Sequence, residues 1–439
     1  MRLLRKTLAL QLSWEWLRRK ASVRIHSILG AALLGCLAIV SASAQPRIRK
    51  ASPQSRPAPK DTAWLEVFGF AQADAIFDFD QNNPDWFDVN RPTKLPAFKN
   101  EFGGDNHTWF SARQTRFGVK SFTPMGRYDL NTFFDFDLFG VGIDAGQTTI
   151  RLRHAYGQWG PVGAGQLETP FMDLDVFPNI LEYWGPNGMI FFRNVMVFYE
   201  PIAKEKGFKV QVALERPGAS GDAGRFADRV ELQNIIARFP WPDLSAGVWY
   251  RDPRWGHVKI AGIVRAIRWD DVLPDSFDLS GGTTAAGGTI SAVLKATKND
   301  VFRLQYVYGR GIQNYFNDAP IDIGVVINTG NRRRPLLGEA LPVWGAVAFL
   351  DHNWTKKWST SIGYSRVSID NSNGQLPQDF RIGQYGTINL LNTPITNVLI
   401  GGEFQWGRRE NFGDAFRVND FRLQFSFKYS YSRKFEWLK

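Results

Sequence analysis

The sequence predicts an all-β fold: a transmembrane antiparallel β-barrel of about 16 strands, with 18 as the alternative count. Three observations predict it. The N-terminus carries the pattern of an export signal, the apolar residues beyond position 61 recur with a period of two, and the connections between candidate strands divide into short turns and long polar loops.

The first segment is basic to Arg24, apolar from Ile28 to Val40, and then reads Ala42-Ser43-Ala44-Gln45. Basic, apolar, then small-x-small is a secretory signal, with cleavage expected after Ala44 and residues 1–44 removed. A cut before Cys36, as in a lipoprotein, is the competing reading; the apolar run continuing through Leu37-Ala38-Ile39-Val40 argues against it. Residues 45–60 are basic and rich in proline, which suits a solvated periplasmic tether. The net charge of +11 lies in these two segments, because from Asp61 onward 41 basic residues meet 41 acidic ones. The alkaline balance is therefore no sign of a nucleic-acid partner. One cysteine rules out a disulfide scaffold or a multi-cysteine zinc site, and five histidines give no metal-binding spacing, so neither metal nor cofactor is expected.

Residues 61–439 form the barrel. Phe421 to Tyr431 is the clearest strand: Phe421, Leu423, Phe425, Phe427, Tyr429 and Tyr431 alternate with Arg422, Gln424, Ser426, Lys428 and Ser430. Successive strand residues point to opposite faces, so one face is apolar and the other polar. In a membrane barrel the first faces lipid and the second faces the channel. Similar alternation marks candidate strands near 65–79, 108–123, 128–138, 148–159, 162–167, 189–200, 207–216, 228–239, 244–252, 256–268, 287–297, 301–311, 344–354, 358–369, 380–391, 396–407 and 418–431. These are seventeen, whereas a bacterial single-chain barrel has an even number. The weakest stretch is 239–297, and a further strand could lie in 321–329.

Short turns are expected at Pro124-Met125-Gly126-Arg127, Lys204-Glu205-Lys206-Gly207, Pro240-Trp241-Pro242-Asp243 and Thr355-Lys356-Lys357, and long loops at 80–107, 168–188, 312–343 and 370–379. Aromatic residues crowd the turns (Phe122, Tyr128, Phe239, Trp241, Trp354, Trp358), as at a membrane interface. Residues 168–188 are too long for a turn and too apolar for a solvated loop. They are expected to fold inward and narrow the channel, with Asp173, Asp175 and Glu182 near the constriction; a latch at a subunit interface is the alternative.

Channel chemistry follows from the polar faces. Parity places Gln114, Arg116 and Lys120 in the lumen, with Arg151 and Arg153 one hairpin later and Asp135 and Asp137 between them. Arg113 and Arg193 complete the expected lining. A basic wall opposed to an acidic one would set up a transverse field that orients solutes; the other reading is ion pairing that stiffens the barrel. Arginine suits carboxylate or phosphate contacts, which points to small hydrophilic anions, while the 16 tryptophans would suit a sugar channel with an aromatic slide. No pairing of a nucleophile with a histidine supports an enzyme; His154 shares parity with lipid-facing Ile150 and Leu152 and is expected to be structural.

The run Phe68-Gly69-Phe70-Ala71-Gln72-Ala73-Asp74-Ala75-Ile76-Phe77-Asp78-Phe79 resembles the first strand of DcaP-like outer-membrane porins. So do Phe110 to Gly118, Phe134-Asp135-Phe136-Asp137, Arg151-Leu152-Arg153-His154-Ala155-Tyr156-Gly157 and the stretch from Gly165-Gln166 to Pro186. The resemblance is strongest over residues 64–200. It implies a homotrimeric, 16-stranded channel in the cell outer membrane, in contact with lipid and lipopolysaccharide and open to small anionic solutes such as dicarboxylates. The Gly69, Ala71, Ala73, Ala75 face of the first strand is the expected subunit contact. Members can carry a helical N-terminal extension, whereas residues 45–60 cannot form a coiled coil. The chain closes on Phe435-Glu436-Trp437-Leu438-Lys439, so Trp437 or the Phe425–Tyr431 run is the expected insertion signal.

Overall fold

A computed structural model describes residues 62–438. The expected export signal and tether lie outside the described residues. The strands are β1 (Thr62–Asp78), β2 (His107–Ser111), β3 (Arg116–Met125), β4 (Tyr128–Phe139), β5 (Thr148–Trp159), β6 (Val162–Glu168), β7 (Arg193–Ala203), β8 (Gly207–Glu215), β9 (Gly221–Asp222), β10 (Ile235–Arg238), β11 (Asp243–Asp252), β12 (Gly256–Asp271), β13 (Gly281–Lys295) and β14 (Asp300–Arg310). Then follow β15 (Ile323–Ile327), β16 (Leu336–Ala340), β17 (Pro342–Asn353), β18 (Trp358–Ile369), β19 (Phe380–Asn392), β20 (Val398–Asn411) and β21 (Arg417–Leu438).

One sheet of 18 strands closes on itself where β1 pairs antiparallel with β21, from Thr62↔Leu438 to Asp78↔Arg422. Sixteen strands form the wall. The other two, β2 and β10, are short pieces that pair with the far ends of β1 and β12. Closure leaves no unpaired edge, which is what a sheet needs in hydrocarbon. The alternation does as the sequence implies: on β21, Phe425, Phe427 and Tyr429 are exposed on the outside, while Arg422, Gln424 and Ser426 are buried within. Exposed Trp159, Trp354, Trp358, Phe435 and Trp437 gather at the end of the short turns, where their amphipathic rings suit the lipid headgroups.

The candidate strand 228–239 is not a wall strand. β8 pairs directly with β11, from Asp243↔Glu215 to Arg251↔Gly207, so residues 216–242 form an external loop. Only Ile235–Arg238 adds to the sheet, and Val230–Leu232 is a 3-10 turn. Pro240 and Pro242 have no backbone N–H for a ladder, and the segment they end belongs to the long-loop side, not to a periplasmic turn. The expected strand in 321–329 exists as β15, but it pairs with β16 and β9 in a separate three-stranded sheet outside the wall. The expected 108–123 strand is broken between Ser111 and Arg116 into β2 and β3.

The connection Thr169–Phe192 between β6 and β7 folds into the barrel. Its apolar residues are taken up by apolar pads on the inner wall. Val176 and Met189 pack with Val293, Val347, Phe349 and Tyr385, and Phe171, Met172 and Ile190 pack with Ala261, Ile263, Val343 and Val367. A β-carbon on Gly188 would stand 2.1 Å from the Arg366 carbonyl oxygen, so this crossing requires glycine.

Candidate functional site: the channel constriction

The inward loop is tied to much of the wall. Asp173 Oδ2 accepts from Ser291 Oγ at 2.5 Å and lies 2.9 Å from His257 Nε2. Asn179 N donates to Asp351 at 3.2 Å, Leu181 N to Glu403 at 2.7 Å, Gly188 N to Ser365 at 2.9 Å and Ile190 N to Gln305 at 2.8 Å. Gln114 Nε2 donates to the Leu181 carbonyl at 3.1 Å, and the Tyr183 hydroxyl bonds Asp137. An apolar loop with polar wall partners for its backbone can lie inside a wet channel, and here both polar atoms of the Asn187 side chain are nonetheless buried without a partner.

Of the three carboxylates expected at the constriction, only Asp175 is open, with its side chain half exposed. Asp173 and Glu182 are buried. Burial raises the Asp173 carboxyl, but the hydrogen bond and charge of His257, with Lys259 nearby, outweigh it and hold the group at about 2. Burial dominates at Glu182 and, with the charge of Glu403, pushes its carboxyl up to about 8. The N–H groups of Asn90, Trp184 and Gly185, which donate to it, offset this in part. Glu182 therefore fastens the loop and does not line the path.

Asp135, Asp137, Arg151 and Arg153 do not oppose one another across the lumen. They sit on neighbouring strands and pair directly: Asp137 Oδ2 is 2.8 Å from Arg151 Nη2 and 2.9 Å from Arg153 Nη1. Asp135 lies 3.6 Å from Arg153 Nε. His154 also points inward, contrary to its sequence parity. The register shifts between Asp135↔His154 and Phe136↔Leu152, so Arg153 is an inserted residue. Such a bulge turns two successive side chains to one face. His154 Nδ1 lies 2.6 Å from Asp135 and Nε2 2.6 Å from Glu168. Arg113 is not in the lining either. It is buried in an ion pair with Asp88 at 2.6 Å, donates to the Gly140 carbonyl at 2.9 Å and lies 4.0 Å over Phe139.

What remains is a set of inward cations whose nearest carboxylates stand beyond ion-pair distance. Among the described residues, Arg116, Lys120, Arg193 and Lys428 form no ion pair. Arg116 Nε and Arg193 Nη1 are buried without a hydrogen-bond partner. Aromatic rings accompany them: Lys428 lies 3.7 Å and Arg116 5.3 Å from the centre of Phe70, Lys120 4.5 Å from Phe68, and Arg193 5.4 Å from Phe191. Lys428 and Arg116 feel each other's charge, as do Arg116 and Arg153, and Arg153 and Arg193. A positive stripe thus runs along one side of the lumen. Lys428 was visible in the sequence only as one polar residue in the alternation of β21.

A family model described as DcaP outer membrane protein matches residues 42–429. Among solved structures, the outer membrane channel DcaP of Acinetobacter baumannii is similar over 84% of this chain and 97% of its own, at 16% identity and a TM-score of 0.69. An anion-selective porin from Comamonas acidovorans aligns over 84% of this chain and all of its own, at 8% identity and 0.54. The trimer form of OmpT from Vibrio cholerae aligns over 84% and 100%, at 11% identity and 0.50. At these identities the likeness is one of fold. No curated protein matches the sequence.

Proposed function

We propose, from the premise that the chain belongs to the DcaP outer membrane protein family, that this outer-membrane channel passes small hydrophilic anions, dicarboxylates among them. The supporting observation is the stripe of Arg116, Arg193 and Lys428 beside the inward loop, none of them in a direct ion pair and two with a buried N–H left unpartnered. In a narrow passage with low-dielectric walls, unpaired cations raise the local concentration of anions. A dicarboxylate could engage two of them at once. The inward aromatics favour this over a sugar slide. Phe68 and Phe70 are covered by Lys120 and Lys428, and Trp249 by Lys259 at 3.9 Å, so their faces serve cations and are not a free ladder for sugar rings.

The test is the reversal potential of single channels in a salt gradient, followed by block with a dicarboxylate. Anion preference with dicarboxylate block supports the reading; an unselective channel blocked by oligosaccharides sinks it. Assembly as a homotrimer belongs to the same proposal, with exposed Ala71 and Ala73 of β1 as the contact. Ala73→Arg should then release monomers in mild detergent, as read by light scattering. Export with cleavage after Ala44 would leave Gln45 at the mature N-terminus, which N-terminal sequencing checks.

A further inference from the structure

The junction between the inward loop and the wall holds a cluster that the channel reading does not use. His257 projects inward from β12 and is buried. Its Nε2 lies 2.9 Å from Asp173 Oδ2 and its Nδ1 4.0 Å from Asp175 Oδ2. One ligand atom from each of the three residues falls within 4.8 Å of the others. We propose that Asp173, Asp175 and His257 bind a divalent transition-metal ion of the zinc class, fastening the constriction loop to the wall.

Several features support the site. Ligand atoms around a tetrahedral zinc stand about 3.3 Å apart, from bond lengths of roughly 2.0–2.2 Å, and the 4.8 Å spread of this cluster is near that size. One imidazole with two carboxylates is a mixed nitrogen and oxygen set, which favours Zn²⁺, Cu²⁺ or Ni²⁺ over Mg²⁺ and Ca²⁺. Ser291 Oγ, 2.5 Å from Asp173 Oδ2, fixes that carboxylate as outer partners of metal ligands do. Asp175 is half exposed, which leaves a side open to ions in the channel and to a water ligand. Lys259 lies close by and donates to the Met172 carbonyl. Lys209 and Arg251 act on Lys259 as well, so the ion would be held by the geometry of its ligands and not by an excess of negative charge. The site takes a cation, so it stands or falls separately from the anion preference of the path.

Calorimetric titration of the purified channel with Zn²⁺ tests it. We expect one site per chain, at least tenfold weaker binding in both His257→Gln and Asp175→Asn, and much weaker binding of Mg²⁺. Asp175 is half exposed, so Asp175→Asn tests the site without threatening the fold; heat-modifiable gel mobility checks both variants. An anomalous zinc peak between Asp173 and His257 supports the assignment. Unchanged affinity in both variants, equal affinity for Mg²⁺, a zinc peak elsewhere only, or no binding at millimolar Zn²⁺ overturns it.

Discussion

Arg153 Nη1 lies 2.9 Å from Asp137 Oδ2 on the adjacent strand, and a bulge that inserts Arg153 into β5 places it there. Both side chains are buried, and Asp137 also holds Arg151 at 2.8 Å. Breaking a buried pair from one side costs on the order of 3–5 kcal/mol, because the other charge stays behind uncompensated. Arg151→Gln with Arg153→Gln should therefore lower the unfolding midpoint in detergent markedly. The freed Asp137 should also shift ion preference toward cations. Unchanged heat stability in the double variant would show that the pairs contribute nothing to the fold.

Arg116 and Arg193 should behave in the opposite way. Neither forms a direct ion pair, and each keeps a buried N–H without a partner, so its burial costs stability that the more distant charges of Asp135, Asp137 and Glu168 offset only in part. Replacing both with Gln should reduce anion preference in bi-ionic potentials while leaving the unfolding midpoint equal or higher. A large loss of stability would mean that these arginines hold structure.

Arg113 gives a control for the path. Its pair with Asp88 is buried away from the lumen stripe. Arg113→Gln should cost a few kcal/mol of stability, as for a buried pair broken from one side, yet leave reversal potentials within error of wild type. A shifted reversal potential in a folded Arg113→Gln channel would return this residue to the lining.

Glu182 sets the expected pH dependence of the loop. Its carboxyl rises from the ordinary 4.5 to about 8 through burial, reinforced by Glu403. A group raised in this way contributes stability that is whole below its unfolded value and is lost as pH climbs through the folded one. The unfolding midpoint of the wild type should then fall between about pH 4.5 and pH 8, over the range of this shift. Glu182→Gln should flatten that fall. Parallel pH profiles for the two proteins would remove Glu182 as its source.

The barrel was legible in the sequence because strands that face lipid on one side and water on the other must alternate, as Phe425 and Ser426 do. The error at 228–239 came from the same signal: Val230, Leu232 and Ile236 alternate weakly, but only the pairing of β8 with β11 shows that the segment stands outside the wall. Site chemistry was harder to read. Arg116 and Lys120 lie on the face of β3 that their parity implies, whereas His154 does not follow its parity because one inserted residue shifts every later side chain by a step. Whether a cation is paired depends on contacts between distant residues, such as Arg113 with Asp88, and no local pattern carries that.

The many wall bonds of the inward loop have an electrical consequence. A constriction held only at its two ends would swing, and current through it would flicker. Here Leu181, Gly188 and Ile190 are pinned to Glu403, Ser365 and Gln305 on three different strands, and the loop's apolar side chains are seated between those pins. Its aperture is therefore set when the chain folds, and a voltage applied across the membrane finds little that is free to move. The single-channel trace should be a quiet, steady step.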